Sequence, residues 1–193
     1  SPGADCGYDI SDYMDIDAMY GGMEAFKKVL DGCHSRGMKL IMDLVPNHTS
    51  SQHKWFQESR KSKDNPYSDY YYWFDTPPND WQSMFGGSAY QYDETRGQYY
   101  LHTFAVSQAD LNWDNPAMRQ DLYKFIRFWV DKGIEGFRLD VIDQIGKDAD
   151  LQISNNGPKL HDYLRELSRE AFREEGLVSV GECWGADTER AKL

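Results

Sequence analysis

Gly136-Phe137-Arg138-Leu139-Asp140-Val141 sets one cation and one carboxylate two residues apart in an otherwise apolar run. Read as a β-strand, its side chains alternate faces. Arg138 and Asp140 then share one face, while Phe137, Leu139 and Val141 pack against the other. A guanidinium beside a carboxylate favours the ionised form and lowers its pKa, which suits a carboxylate that must attack as a nucleophile. A buried structural ion pair produces the same pattern, so the stretch alone leaves both readings open.

The neighbouring stretches give this run its setting. Lys39 to Val45 reads as a buried strand with a single carboxylate, Asp43, and ends at Pro46. Before it, Met23, Phe26, Val29, Leu30 and Cys33 recur at helical spacing between Met23 and Arg36, with Gly37 as the stop. Asn115-Pro116 is a cap followed by a first-turn proline, opening a helix through Leu122, Phe125, Ile126 and Trp129 to Gly133. Residues 143–157 read as a polar loop. Pro158 then opens a helix carrying Leu160, Tyr163, Leu164, Leu167 and Phe172, and Leu177–Gly181 reads as another buried strand. Residues 1–20 are loop-like, with Asp5, Tyr8 and Asp9 available as polar contacts. Residues 46 to about 113 break the rhythm with Pro77-Pro78, Gly86-Gly87 and more than half of the aromatic residues. Such a lobe can hold a satellite core or line a sugar pocket. Strand, insertion, helix, strand, helix, strand is an α/β pattern. Each strand carries polar residues near its carboxyl end: Asp43, then Arg138 with Asp140, then Glu182. Ligands bind at that edge in parallel α/β folds, barrel or open sheet.

The 193 residues carry a net charge of −11 and no Lys/Arg block, which argues against a nucleic-acid partner and for a neutral polar ligand. No apolar run reaches the roughly 18 residues of a membrane span. Cys6, Cys33 and Cys183 are odd in number and lack metal or redox spacing, so free thiols and a cytoplasmic setting are expected.

Asp140 and Glu182 lie on consecutive expected strands, so their carboxyls can approach across the strand ends. Paired carboxylates are the equipment of glycosidic cleavage: one ionised to attack, the other protonated to release the leaving oxygen. Arg138 is expected to keep Asp140 charged, and desolvation to raise Glu182. By spacing alone, a divalent metal site of Asp43, His48, Asp140 and Glu182 is a rival.

Asp43-Leu-Val-Pro-Asn47-His48, Gly136-Phe-Arg138-Leu-Asp140-Val141 and Val180-Gly181-Glu182 resemble, in order, three signature regions of the α-amylase family of retaining glycoside hydrolases. Gln108-Ala-Asp110-Leu-Asn112 matches a further family stretch. Gly7 to Tyr13, Asp110 to Asn115, Asn156-Gly157-Pro158, Val141-Ile142-Asp143 and Gly181 to Ala186 are most similar to glucan 1,6-α-glucosidases and oligo-1,6-glucosidases. The resemblance implies a partial (β/α)8 barrel formed by residues 1–45 and 114–193, with a domain of residues 46–113 inserted between the third strand and third helix. It implies Asp140 as nucleophile, Glu182 as general acid/base and Arg138 as the partner of Asp140. Asp5, Tyr8, Asp43, His48, Phe85, Phe104 and Gln108 are implied to surround a non-reducing-end glucose, with Trp184 as platform for the aglycone sugar. Val141, directly after the nucleophile, goes with α-1,6 linkages.

The implied activity is exo-hydrolysis of α-1,6-glucosidic bonds in isomaltooligosaccharides or dextran. The two carboxyls are expected about 5–5.5 Å apart, and no cofactor is needed. Trehalose-6-phosphate hydrolysis, transglucosylation, sucrose isomerisation and a non-catalytic binding or assembly role are the alternatives. The family's fourth signature, a His-Asp pair, is not found before Leu193. Its common calcium loop is expected upstream of Ser1. The 193 residues alone are therefore expected to be inactive.

Overall fold

A computed structural model of the chain describes residues 1–173, 176–185, 187–189 and 192. In chain order it contains α1 (Gly22–His34), β1 (Met42–Leu44), β2 (His48–Ser50), α2 (Lys54–Ser59), β3 (Trp73–Phe74), β4 (Tyr90–Asp93), β5 (Gln98–Leu101), β6 (Gln108–Asp110), α3 (Pro116–Asp131), β7 (Gly136–Leu139), α4 (Leu160–Leu167) and β8 (Val178–Gly181). A π-helical turn, Ser168–Phe172, extends α4. The Asn115 side chain accepts hydrogen bonds from the N–H groups of Ala117 and Met118, with Pro116 in the first turn, so α3 begins where its sequence places it.

β1, β7 and β8 form a parallel sheet in the order β1-β7-β8, with Asp43 beside Arg138 and Leu139 beside Gly181. All three strands therefore end at the same edge. Gly136 brings β7 close to β8: a Cβ there would collide with the Val178 carbonyl. Between β1 and α3 lie two antiparallel sheets, β2-β6 and β3-β5-β4. The aromatic residues of this region are not mainly a satellite cluster. Trp55, Phe56, Tyr70, Tyr71 and Tyr100 share one core with Leu122, Tyr123, Ile126 and Trp129 of α3. Only Ala89, Tyr90 and Leu101 centre a second, small cluster. Trp55 stacks on Phe125, which stacks on Tyr13, with centroids 5.1 and 5.2 Å apart.

Three local expectations are corrected. β8 is exposed along its length, Val178 at 48% and Val180 at 50%, because among the described residues it pairs only with β7. Met42–Leu44 is shorter than the expected Lys39–Val45, and Ile41 is exposed. Residues 143–147 are a buried stretch containing Asp143, Gln144 and Lys147, instead of the start of a polar loop. Asp143 Oδ2 and Lys147 find internal partners, whereas Asp143 Oδ1 and Gln144 Oε1 are buried without a hydrogen bond among the described residues.

Candidate active site

The aligned ends of β1, β7 and β8 place three carboxylates around one guanidinium. Arg138 Nη1 lies 3.0 Å from Asp43 Oδ1 and 2.6 Å from Asp140 Oδ1, while Nη2 lies 2.7 Å from Glu182 Oε2. The Tyr8 hydroxyl donates to Asp43 Oδ2 at 2.9 Å, and the Arg138 guanidinium lies 5.8 Å from the Tyr8 ring centre. Arg138 thus occupies the centre that a divalent cation would need, and His48 lies elsewhere. Among the described residues no three His, Cys, Asp or Glu side chains converge as metal ligands.

β7 ends at Leu139, and the chain then turns sharply. Val141 has φ 37° and ψ 46°, a left-handed conformation that β-branched residues rarely adopt. Val141 is therefore not a strand residue, as its expected pairing with Phe137 and Leu139 required. The turn aims its backbone N–H at Glu182 Oε2, 3.1 Å away, and buries its side chain. The Trp184 indole Nε1 donates to the other oxygen, Glu182 Oε1, at 3.1 Å. Glu182 is therefore gripped on both oxygens.

The electrostatics reverse the expected assignment. Burial pushes Asp140, 7% exposed, up to about 6 against the pull of Arg138. Burial also pushes Glu182 upward, but bonds from Trp184 and Val141 and the charge of Arg138 outweigh it, holding this carboxyl below its ordinary range. Asp140 lies inside the turn, whereas Glu182 follows the end of the exposed strand β8 and is only half-buried. The two carboxyls share one guanidinium, Asp140 on Nη1 and Glu182 on Nη2.

A second cluster stands beside the first. β2 pairs with β6 so that His48 faces Asp110 and Ser50 faces Gln108. His48 is 2% exposed, and burial lowers its pKa to about 4, so the ring is neutral near pH 7. Asn47 Nδ2 lies 3.1 Å from Nδ1, and the Tyr8 carbonyl 3.1 Å from Nε2. The Asn47 amide donor and the Tyr8 carbonyl together favour the proton on Nε2, while the Gln108 amide nitrogen, 3.2 Å from the same atom, competes for it. His48 is thus committed internally, not left as a free donor to a sugar hydroxyl. Gln108 Nε2 donates to Asp5 Oδ2 at 2.9 Å, fixing the N-terminal loop to β6. Asp9 is fully buried and accepts from the backbone N–H groups of Ala4 and Asp5, so it shapes this loop instead of contacting a ligand.

Lys147 underlies this cluster, and sequence reading missed it because nothing in a polar stretch marks a buried ammonium. It is fully buried, with Nζ 3.0 Å from Asp110 Oδ2 and donating to Asn47 Oδ1 at 2.6 Å. The Thr103 backbone N–H and hydroxyl complete the Asp110 shell. Lys147 reaches His48 through Asn47. The rings Phe85, Phe104 and Trp184 follow one another edge to face, at 5.9 and 6.1 Å. Phe104 is buried, but Phe85 at 61% and Trp184 at 54% exposure form an open aromatic rim. Cys6, Cys33 and Cys183 are all unpaired. Ala186 lies outside the described residues.

The sequence profile of the alpha amylase catalytic domain matches residues 1–193. The glucan 1,6-alpha-glucosidase of Streptococcus pneumoniae is 52% identical over all of this chain and 36% of its own length. The oligo-1,6-glucosidase of Heyndrickxia coagulans is 49% identical over all of this chain and 38% of its own. The chain thus spans little more than a third of these relatives. Among solved structures, the trehalulose synthase of Pseudomonas mesoacidophila superposes with a TM-score of 0.95 at 43% identity, covering 99% of this chain and 37% of that one. The trehalose-6-phosphate hydrolase of Bacillus licheniformis gives 0.92 at 45% identity, covering 97% and 36%. With a parallel sheet whose strand ends gather the charged residues, and a match running from the first residue to the last, the chain has a TIM-barrel-type α/β fold and belongs to the alpha-amylase catalytic-domain family.

Proposed function

We propose that the complete polypeptide carrying this chain is a retaining exo-α-glucosidase acting on α-1,6 bonds at the non-reducing ends of isomaltooligosaccharides or dextran. In this reading residues 1–45 and 114–193 form part of a (β/α)8 barrel, and residues 46–113 are a domain inserted between its third strand and third helix. The supporting observation is the guanidinium of Arg138 bonded to both Asp140 and Glu182 at neighbouring parallel strand ends. Asp140 attacks the anomeric carbon as the glycosidic bond breaks, giving a β-glucosyl ester, and Glu182 donates a proton to the departing oxygen. Glu182 then takes a proton from water, which attacks the ester and restores the α anomer and free Asp140. No cofactor enters these steps.

A sugar entering between the carboxyls breaks the Arg138–Glu182 pair. Arg138 keeps Asp43 and Asp140, holding the nucleophile ionised, while Glu182 loses its cation under the aglycone and its pKa rises. Substrate binding thereby reverses the proton distribution of the empty site. The three unpaired cysteines suit a cytoplasmic enzyme. The isolated 193 residues are expected to be inactive, since Ile41, Val178 and Val180 lie exposed at the sheet.

Glucose release from isomaltotriose, maltotriose and trehalose-6-phosphate, by the complete polypeptide and its Asp140→Asn variant, tests the reading. We expect preference for isomaltotriose and a loss on the order of 10³-fold or more on substitution. Preference for trehalose-6-phosphate would replace the substrate, and an active Asp140→Asn protein would remove Asp140 as nucleophile.

A further inference from the structure

Asp143 lies three residues past Asp140, in a 3-10 turn spanning Ile142–Gln144, and is 1% exposed. Beyond the electrostatic pull of the buried Lys147, this carboxylate needs hydrogen-bond donors. It finds them on the segment that follows Glu182: Oδ2 accepts the backbone N–H groups of Trp184 at 3.1 Å and Gly185 at 3.3 Å. Its backbone carbonyl accepts the N–H of Asn156 at 2.7 Å, anchoring it from the other side. The Trp184 side chain in turn donates to Glu182 Oε1. A continuous set of contacts therefore runs from the turn after Asp140, through one carboxylate, to the indole that holds Glu182.

We propose that Asp143 is a positioning residue for Glu182, acting through Trp184, an inference that rests on the glucosidase reading above. Its two hydrogen bonds fix the backbone of Trp184–Gly185, so that the indole faces both the Glu182 carboxyl and the aromatic rim beginning at Phe104. Without them Trp184, exposed and on an edge segment, has little to hold it, and the acid loses its orientation while Asp140 and Arg138 keep theirs. Removing Asp143 therefore impairs the departure of a basic leaving group and spares one that needs no proton.

The experiment compares wild type, Asp143→Ala, Asp143→Ser and Asp143→Asn in the complete polypeptide, with isomaltotriose and p-nitrophenyl α-glucoside as substrates. For Asp143→Ala and Asp143→Ser, kcat/KM on isomaltotriose should fall about tenfold or more, while kcat/KM on the aryl glucoside, whose leaving group needs no acid, changes by about threefold at most. Asp143→Asn retains an oxygen acceptor and should recover most of the loss. Equal losses on both substrates, or none on either, would overturn the proposal. The Trp184 indole N–H resonance, assigned by its disappearance in Trp184→Phe, gives a readout independent of turnover. It should move in Asp143→Ala and return in Asp143→Asn; an unmoved signal also overturns the proposal. Should the wild type cleave another oligosaccharide instead of isomaltotriose, the substrate reading fails, and the same comparison with that oligosaccharide still decides the role of Asp143.

Discussion

Two cations of this chain stand under opposite conditions. Arg138 is partly open to solvent and shared by Asp43, Asp140 and Glu182, whereas Lys147 is sealed from solvent and forms its ion pair with Asp110. Around Arg138 the acids outnumber the base, so each proton or partner that arrives redistributes the others. Around Lys147 one buried carboxylate is paired directly, and the Asn47 carbonyl and Thr103 supply further bonds to the pair. A surplus of carboxylates around a forked donor makes a site that a ligand can rearrange. A matched, desolvated pair makes a support that is costly to disturb.

Opposite substitutions test this contrast in the complete polypeptide. Replacing Arg138 by Met should lower kcat/KM by on the order of 10³-fold, as expected when a group gripping the reacting carboxylates is lost, with a much smaller change in thermal unfolding. Replacing Lys147 by Met should cost about 3–5 kcal/mol of stability in denaturant titrations, because Asp110 is left buried and unpaired. Adding Asp110→Asn to Lys147→Met should recover part of that loss. An Arg138→Met protein that unfolds as readily as Lys147→Met would erase the distinction.

Acidity sharpens the same comparison. With Asp140 raised to about 6, kcat/KM should climb as pH rises through about 6, since only the ionised carboxylate attacks. Its effect on stability has the opposite sense. The folded pKa lies above the unfolded value, so its contribution is fully present at low pH and is lost as pH rises through about 6. Asp140→Asn should flatten that part of the melting-temperature profile. His53 behaves in reverse: burial lowers its pKa to about 4, and its unprotonated Nδ1 caps α2 by accepting the Trp55 N–H. Its stabilisation is present above the unfolded value of about 6.5 and is lost as pH falls through about 4. His53→Asn keeps an acceptor at the cap without titrating, and should remove on the order of 1–2 kcal/mol of the acid destabilisation. His48 titrates in the same window, and carboxyls held below their ordinary range, Glu182 among them, add to the acid loss. The smallest effect is expected of Phe85→Ala: the exposed ring should leave stability within about 0.5 kcal/mol, and a larger fall in melting temperature would place it in the core.

Much of the scaffold was legible because it depends on neighbours in the chain. The cap at Asn115, the helical spacing of α1 and α3 and the short apolar strands follow from backbone geometry and periodicity. Asp140, Glu182 and Arg138 were legible as charges stranded in apolar runs. Lys147 and Asp143 were not, since a polar residue within a polar stretch gives no sign of burial. The fate of the aromatic residues between β1 and α3 was equally hidden, because periodicity cannot tell which of two cores a ring joins.

The sequence by itself determined which segments are helices and strands, which residues carry the charge, and that the charged residues would gather at one sheet edge. Those properties follow from local torsion, spacing and the direction of parallel strands. Only the tertiary structure decided where the protons lie. Asp140 is raised because it is buried in a turn, and Glu182 is held down because, half-buried past the end of β8, it accepts bonds from Trp184 and Val141 and shares the same guanidinium. A pKa is set by everything within a few ångströms, and most of that comes from distant parts of the chain.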